Sequence, residues 1–361
     1  MARNQGKVWA IQPHTVAKHA ILRRYLAAWV PIMGRRSDHV VYFDGFAGPG
    51  EYENGEPGSP IIALQLAVKH RNPGPGRISF VFVERDTEAS SHLRSAIEAV
   101  ECPENISAEV VNGTFEEEME RYLDQRRKLG VPPTFAFIDP FGFSGLPMRT
   151  IKRLMNYERC EVFINFMYEP INRFINHPEE GVRRNFDALF GRTDWLEDVD
   201  LRSPRTRKSS IHDLYLQELK KQAGISYLRS FEMLNENNQT EYFLVFGTNS
   251  LEGLKKMKAA MWNVDTLDGG RFSDTTSQSS QVPLFTEPNY HTLKKLIVDR
   301  FDGKGPFAIE SLEHFVITET PFRETHYKKQ ILTPWEKEGR LQVERPGRSG
   351  FPGGTILTLS T

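Results

Sequence analysis

The chain has 361 residues, 39% hydrophobic and 26% charged, a composition that excludes an intrinsically disordered protein. A formal net charge of -1 excludes a polycation that holds nucleic acid by bulk charge, and no apolar run reaches the roughly 20 residues of a membrane span. Two cysteines, Cys102 and Cys160, are too few for a disulfide framework or a thiolate metal site, and no signal peptide is legible, so the expectation is a cytoplasmic protein with no metal.

Charge is unevenly spread. Seven basic residues (Arg3, Lys7, Lys18, Arg23, Arg24, Arg35, Arg36) precede the first acid, Asp38. In "TVAKHAILRRYLAAWVPIM", Val16, Ile21, Leu22, Tyr25, Leu26 and Trp29 recur at three- and four-residue spacings, which predicts an amphipathic helix. Strands and helices then alternate. "VVYFD" (40–44), "RISFVFVE" (77–84), "AEVVN" (108–112), "TFAFID" (134–139) and "EVFINFMY" (161–168) read as strands. "SPIIALQLAVKH" (59–70), "EASSHLRSAIEAV" (88–100), "EEEMERYLDQRRK" (116–128) and "PMRTIKRLMN" (147–156) read as helices, the first with Ser59 as N-cap and Pro60 at the first helical position.

Residues 169–226 break the alternation with a polar, helical insert that carries "RSPRTRK", where Arg202, Arg205, Arg207 and Lys208 cluster. Such a cluster fits either a phosphate-binding face or a solvated surface. "YLRSFEML" and "TEYFLVFG" read as a hairpin that closes the sheet, and "EGLKKMKAAMW" as a further helix. The reading is therefore a basic helical segment over 1–38, a doubly wound Rossmann-like domain over 39–268, and a linker over 269–285. A unit with the outline of a winged helix, three helices and a glycine-rich wing, follows over 286–361. Its charge is only mildly positive, so it suits nucleic acid or a protein partner equally.

Four apolar strands end on polar residues: Asp44, Glu84, Asn112 and Asp139. In a parallel sheet those ends line one crevice, the place where such folds bind ligands. A dinucleotide would need G-x-G-x-x-G running straight into a helix. Here Pro49 lacks an N–H, the third glycine is missing, and Glu51 and Glu53 stand where phosphates would lie. S-adenosylmethionine carries no phosphate and asks for less. Gly45, Phe46, Gly48 and Gly50 offer close backbone approach, Asp44 could face its cationic end, and Glu84 could accept both ribose hydroxyls. Asn112, Gly113, Thr114 and Phe115 lie where adenine would rest. A tight structural turn remains the alternative for "DGFAGPG" alone.

The fourth strand ends "FIDPFGFSG". Asp139 and the Pro140 carbonyl could accept hydrogen bonds from an exocyclic amine while Phe141 stacks on its ring, with Phe143, Asn165 and Tyr168 as further crevice residues. The alternative is a capping aspartate before a proline turn. His14 and His19 are five apart, a spacing that does not put two metal ligands on one helix face.

"YFDGFAGPGEYENGEPGSP", "FAFIDPFGFSGLPM" and "EVFINFMYEPINRF", with "HTVAKHAILRRYL", "LVFGTNS" and "MKAAMWNVD", resemble the three-Cys-motif partner protein family of bacteria and archaea over nearly the whole chain. The resemblance implies a class I methyltransferase-like domain and a partner protein, encoded by a neighbouring gene, named for its cysteine motif. "DPFG" is also similar to the motif of tRNA guanine-N2 methyltransferases. The leading expectation is thus an S-adenosylmethionine-dependent methyltransferase acting on an amine of a nucleic acid, RNA in preference to DNA. Two alternatives stand beside it: a metal-dependent nuclease using Asp44, Glu84 and Asp139, and a non-catalytic adaptor for the three-Cys-motif partner.

Overall fold

The computed structural model describes residues 10–70, 76–274, 287–347 and 349–360. Helix α1 (Pro13–Arg36) is followed by strand β1 (His39–Asp44), α2 (Ser59–Lys69), β2 (Arg77–Glu84), α3 (Thr87–Glu98) and β3 (Ile106–Asn112). Then come α4 (Phe115–Arg126), β4 (Thr134–Ile138), α5 (Met148–Met155) and β5 (Glu161–Phe166). The insert forms α6 (Tyr168–Phe174), α7 (Glu180–Phe190), a 3-10 turn (Trp195–Asp198) and α8 (Pro204–Ala223). Strands β6 (Tyr227–Leu234) and β7 (Thr240–Thr248), helix α9 (Leu251–Trp262) and a short β8 (Arg271–Ser273) complete this part.

These strands form one sheet in the order β3-β2-β1-β4-β5-β7-β6-β8. Strands β1 to β5 are mutually parallel, and β7 runs antiparallel between β5 and β6. The chain winds outward from β1 to β3, then crosses back to β4 and β5. That reversal puts the topological switch point, where such sheets bind ligands, at the carboxyl ends of β1 and β4.

Period-two alternation sends Val41 and Phe43 into one core layer and Val40 and Tyr42 into the other. The first layer packs beneath α4, α5 and the insert, and the second beneath α1, α2, α3 and α9. Burial of such side chains contributes about 1.5–3 kcal/mol each, which explains why β4 and β5 are wholly buried and mostly apolar, Thr134, Glu161 and Asn165 apart. The insert is part of the first layer: Phe143 stacks on Phe186 with centroids 4.4 Å apart, and Phe166 on Tyr215 at 4.3 Å. Strand β8 pairs in parallel with β6, so the stretch read as a linker begins as sheet. Its continuation over 275–285 lies outside the described residues.

The C-terminal unit contains α10 (Tyr290–Phe301), β9 (Phe307–Ala308), α11 (Ile309–Glu319), a π-turn (Lys328–Leu332), α12 (Thr333–Lys337), β10 (Leu341–Glu344) and β11 (Ile356–Leu359). Its strands pair antiparallel in the order β10-β11-β9. Leu293, Ile297, Leu312, Val316, Tyr327 and Trp335 form its core, into which α9 inserts Trp262. Trp262 Nε1 donates to the Pro321 carbonyl at 2.8 Å, and Lys258 Nζ donates to the carbonyls of Val316 and Ile317, each at 2.8 Å. The Lys258 amine therefore donates to two carbonyls near the end of α11, where the helix lacks its own backbone donors.

Candidate functional site

The turn after β1 continues the sheet before it bends. Gly45 N donates to Phe137 O and Ala47 N to Val83 O, both at 2.9 Å. A Cβ on Gly45 would stand 2.4 Å from the Phe115 ring, so only glycine lets Phe115 close against β1. Gly48 has φ +64° with nothing within 4 Å of an added Cβ, open space beside a left-handed turn. Gly50 has φ +90°, and its Cβ would meet Leu93 at 2.7 Å.

Glu84 joins this turn to the second βα unit. Its Oε2 accepts from Gly48 N at 2.8 Å and its Oε1 from Asp86 N at 2.7 Å. Asp86 in turn caps α3 by accepting from Ala89 N at 2.9 Å. The acid at the end of β2 is thus locked in one orientation against the glycine turn.

Asp44 lies deeper than its place in the sequence suggests. It is 0% exposed, and its carboxylate accepts from Ser59 Oγ at 2.8 Å, Tyr42 OH at 3.3 Å and Phe46 N at 3.3 Å. Burial, with a contribution from Asp139, pushes its pKa up to about 7 despite these hydrogen bonds. The expectation that Ser59 caps α2 is corrected here: Gly58 is the N-cap, and the Ser59 hydroxyl is spent on Asp44, pinning the helix to the strand end.

The segment "EYENGEPG" folds into a miniature hairpin. Tyr52 N donates to Glu56 O at 2.8 Å and Gly58 N to Gly50 O at 2.7 Å, with a bridge between Glu51 and Pro57. It sets Tyr52 against His19, ring centroids 5.8 Å apart. Burial first, then the charges of Asp139 and Asp44, raises the Tyr52 phenol, which places this ring beside the crevice.

Asp139 follows β4 and is held at both oxygens: Lys18 Nζ donates to Oδ2 and Asn165 Nδ2 to Oδ1. Pro140 is buried, whereas Phe141 is 80% exposed at the crevice mouth. Lys18, buried on α1 next to the buried His19, is a functional candidate that sequence reasoning missed. The signal was present, because Lys18 lies three, four and seven residues before Ile21, Leu22 and Tyr25, on the buried stripe of the helix. Burial, followed by the charge of Lys18, lowers His19 to about 3, so its ring is neutral.

Other expected residues are placed differently. Asn112 donates to the carbonyls of Glu84 at 2.9 Å and Arg85 at 3.1 Å, fixing the β2 and β3 ends. Thr114 caps α4 by accepting from Glu117 N, and a Cβ on Gly113 would meet Glu118 at 2.6 Å. Phe115 is core, edge-on to Phe43 and tilted on Phe46. Phe143 is taken up by its stack on Phe186, and Tyr168 lies edge-on to Phe243.

The basic cluster at the start of α8 is not gathered into one patch. Arg202 pairs with Asp200, Lys208 donates to Glu232 and Thr240, Arg207 approaches Tyr168, and Arg205 is exposed. Arg202 precedes the helix, and each of Arg202, Arg207 and Lys208 is drawn to its own partner.

The nuclease alternative is also corrected. Among the described residues no group of three His, Cys, Asp or Glu side chains could hold a metal ion. Asp44 is sealed in, with no exposed surface from which to reach an ion. A cavity of about 710 Å³ opens at the opposite end of the strands, lined by Met33, Arg36, Tyr157, Arg159 and Ser250, away from these groups.

No family model matches the chain, and no curated relative matches it either. Solved structures resemble it distantly. Protein LPL1258 from Legionella pneumophila aligns at 14% identity over 66% of this chain and 85% of that one, with a TM-score of 0.37. Trm1 from Pyrococcus horikoshii, solved with S-adenosyl-L-methionine, aligns at 12% identity over 68% of this chain and 58% of that one, with a TM-score of 0.36. The chain thus spans less than two thirds of Trm1. The fold assignment, a Rossmann-like sheet of the class I methyltransferase kind, rests on the strand order and the single antiparallel β7. Among the described residues, no helix is long and apolar enough to cross a membrane.

Proposed function

We propose that this protein is an S-adenosylmethionine-dependent methyltransferase that modifies an amine nitrogen of a nucleic-acid base, RNA in preference to DNA. The observation that carries the reading is the unit formed by Gly48 and Glu84 at the switch point, beside the Asp139-Pro140-Phe141 turn.

The residues fit the cofactor. The open space at Gly48 leaves room for close backbone approach, with Phe46 and Gly50 in the same turn. Glu84, oriented by two amides, keeps a free lone pair on each oxygen to accept ribose hydroxyls. Asp44 acts at one remove, as a buried group beneath the turn rather than as a contact. When bound, the cofactor supplies an electrophilic methyl group on a sulfonium centre. The chain's own part is to orient the acceptor: Asp139 accepts from the target amine and offsets the charge that develops there, while Phe141 offers an open face for the base.

The winged-helix reading of the C-terminal unit makes it the arm that grips the polymer, held to the catalytic part through Lys258 and Trp262. The motif resemblance further supports a three-Cys-motif protein as a partner. The test is transfer of labelled methyl from S-adenosylmethionine into total RNA, DNA and protein. Label in RNA is expected, and label in protein alone would overturn the choice of nucleic acid.

A further inference from the structure

Two buried groups beside Asp139 have hydrogen-bonding capacity that the fold leaves unused. Lys18 is 5% exposed and carries three N–H donors, yet Asp139 is its single hydrogen-bond partner among the described residues, with the Tyr242 ring 5.6 Å away. Asn165 is 3% exposed, its Nδ2 spent on Asp139, and its Oδ1 accepts from no described group. Buried polar groups are paired in the great majority of cases, and exceptions need a reason. Glu161, a buried acid of β5, shows the contrast: Tyr25 and Thr248 donate to its two oxygens at 2.6 and 2.7 Å.

The two gaps lie on opposite oxygens of one carboxylate, and they are complementary. On the Oδ2 side, Lys18 lacks acceptors. On the Oδ1 side, Asn165 lacks a donor. We propose that Lys18 and Asn165 are specificity-determining residues of the acceptor subsite. Together with Asp139 they admit an edge that carries an amino group next to a hydrogen-bond acceptor, the edge of an amino-bearing nucleobase, and they reject an isolated alkyl amine.

This rests on the methyltransferase reading and names the amines that reading takes. An alkyl ammonium offers donors alone: it would serve Asn165 and Asp139 but bring a second positive charge beside Lys18. A hydroxyl, being one atom, cannot reach both sides of Asp139. An amino base provides the amine for Asp139 and Asn165, and its neighbouring ring nitrogen or carbonyl accepts from Lys18. The charge of Lys18 is then matched by substrate polarity, which is how a polar pocket discriminates strongly between related ligands.

The experiment measures labelled methyl transfer to poly(A), poly(C), poly(G), poly(U) and polylysine, with cofactor affinity determined in parallel on the full chain. Label is expected in one or more of the amino-base polymers and in neither poly(U) nor polylysine. Lys18→Met should lower kcat/KM on the labelled polymer by about tenfold or more, with cofactor affinity and melting temperature little changed. Lys18→Arg should recover part of the loss. If Lys18→Met does not fold, Asn165→Ala reads the same subsite and should show the same split. Label in polylysine, or kcat/KM within about twofold of wild type in both variants, would overturn the proposal while leaving the methyltransferase reading intact. Failure of the wild type to bind cofactor at all would instead overturn that reading, and this inference with it.

Discussion

The amide of Gly48 donates to Glu84 Oε2 at 2.8 Å, so the glycine turn of the first βα unit and the acid that ends the second form one rigid piece. Ligand sites in doubly wound sheets lie at this edge, and rigidity there means that little ordering remains to be done on binding.

The two glycines of the turn should respond differently to alanine. At Gly48 the left-handed φ costs about 1–2 kcal/mol, while the added methyl stands in open space where the cofactor backbone contact is proposed. Gly48→Ala should therefore weaken cofactor binding more than it lowers stability. At Gly50 the methyl would also meet Leu93 at 2.7 Å, so Gly50→Ala should destabilise the fold itself by about 2–4 kcal/mol. Urea unfolding alongside cofactor titration separates the two. Equal stability losses would contradict the assignment.

Two buried groups should bend the pH dependence of stability in opposite directions. Asp44 has a pKa of about 7 against an ordinary 3.8, so the folded state holds a proton that the unfolded state has released. Its contribution is fully present below pH 3.8 and is lost as pH rises through 7, a total of about 4 kcal/mol. Lys258 is lowered from 10.5 to about 6, chiefly by burial and then by the charge of Arg229. Its contribution is present above pH 10.5 and is lost as pH falls towards 6. Asp44→Asn should flatten the acid limb and Lys258→Met the alkaline limb of stability against pH. Denaturant unfolding across that range is the measurement, and a wild-type slope that survives both substitutions would refute the account.

Phe141 and Phe143 stand two residues apart and should behave as different kinds of residue. Phe141 is 80% exposed and touches little, so Phe141→Ala should change stability by less than about 0.5 kcal/mol yet lower methyl transfer to RNA. Phe143→Ala removes a ring stacked 4.4 Å from Phe186 and should destabilise by about 3 kcal/mol. Thermal melting and transfer assays on both variants check this. Unchanged transfer in Phe141→Ala would remove that ring from the acceptor site.

The parallel sheet was legible because apolar strand runs end on polar residues, and Asp44, Glu84 and Asp139 do lie at adjacent strand ends. Their partners were not legible. The contact between Lys18 and Asp139 spans 121 positions and depends on how α1 lies against the finished sheet. Ser59 was read from local capping rules, whereas Asp44, fifteen residues earlier, claims its hydroxyl. In "RSPRTRK" the sequence shows charge but not direction, and the acids that neutralise it, Asp200 and Glu232, come from two different elements.

The central claim is that the turn carrying Gly48 and Glu84 holds S-adenosylmethionine. Calorimetric titration of the cofactor into the wild type and Glu84→Ala tests it most directly. The account predicts micromolar binding to the wild type, about -8 kcal/mol, weakened about tenfold or more in the variant. No binding to the wild type at millimolar cofactor, or equal affinity in the two proteins, would contradict it.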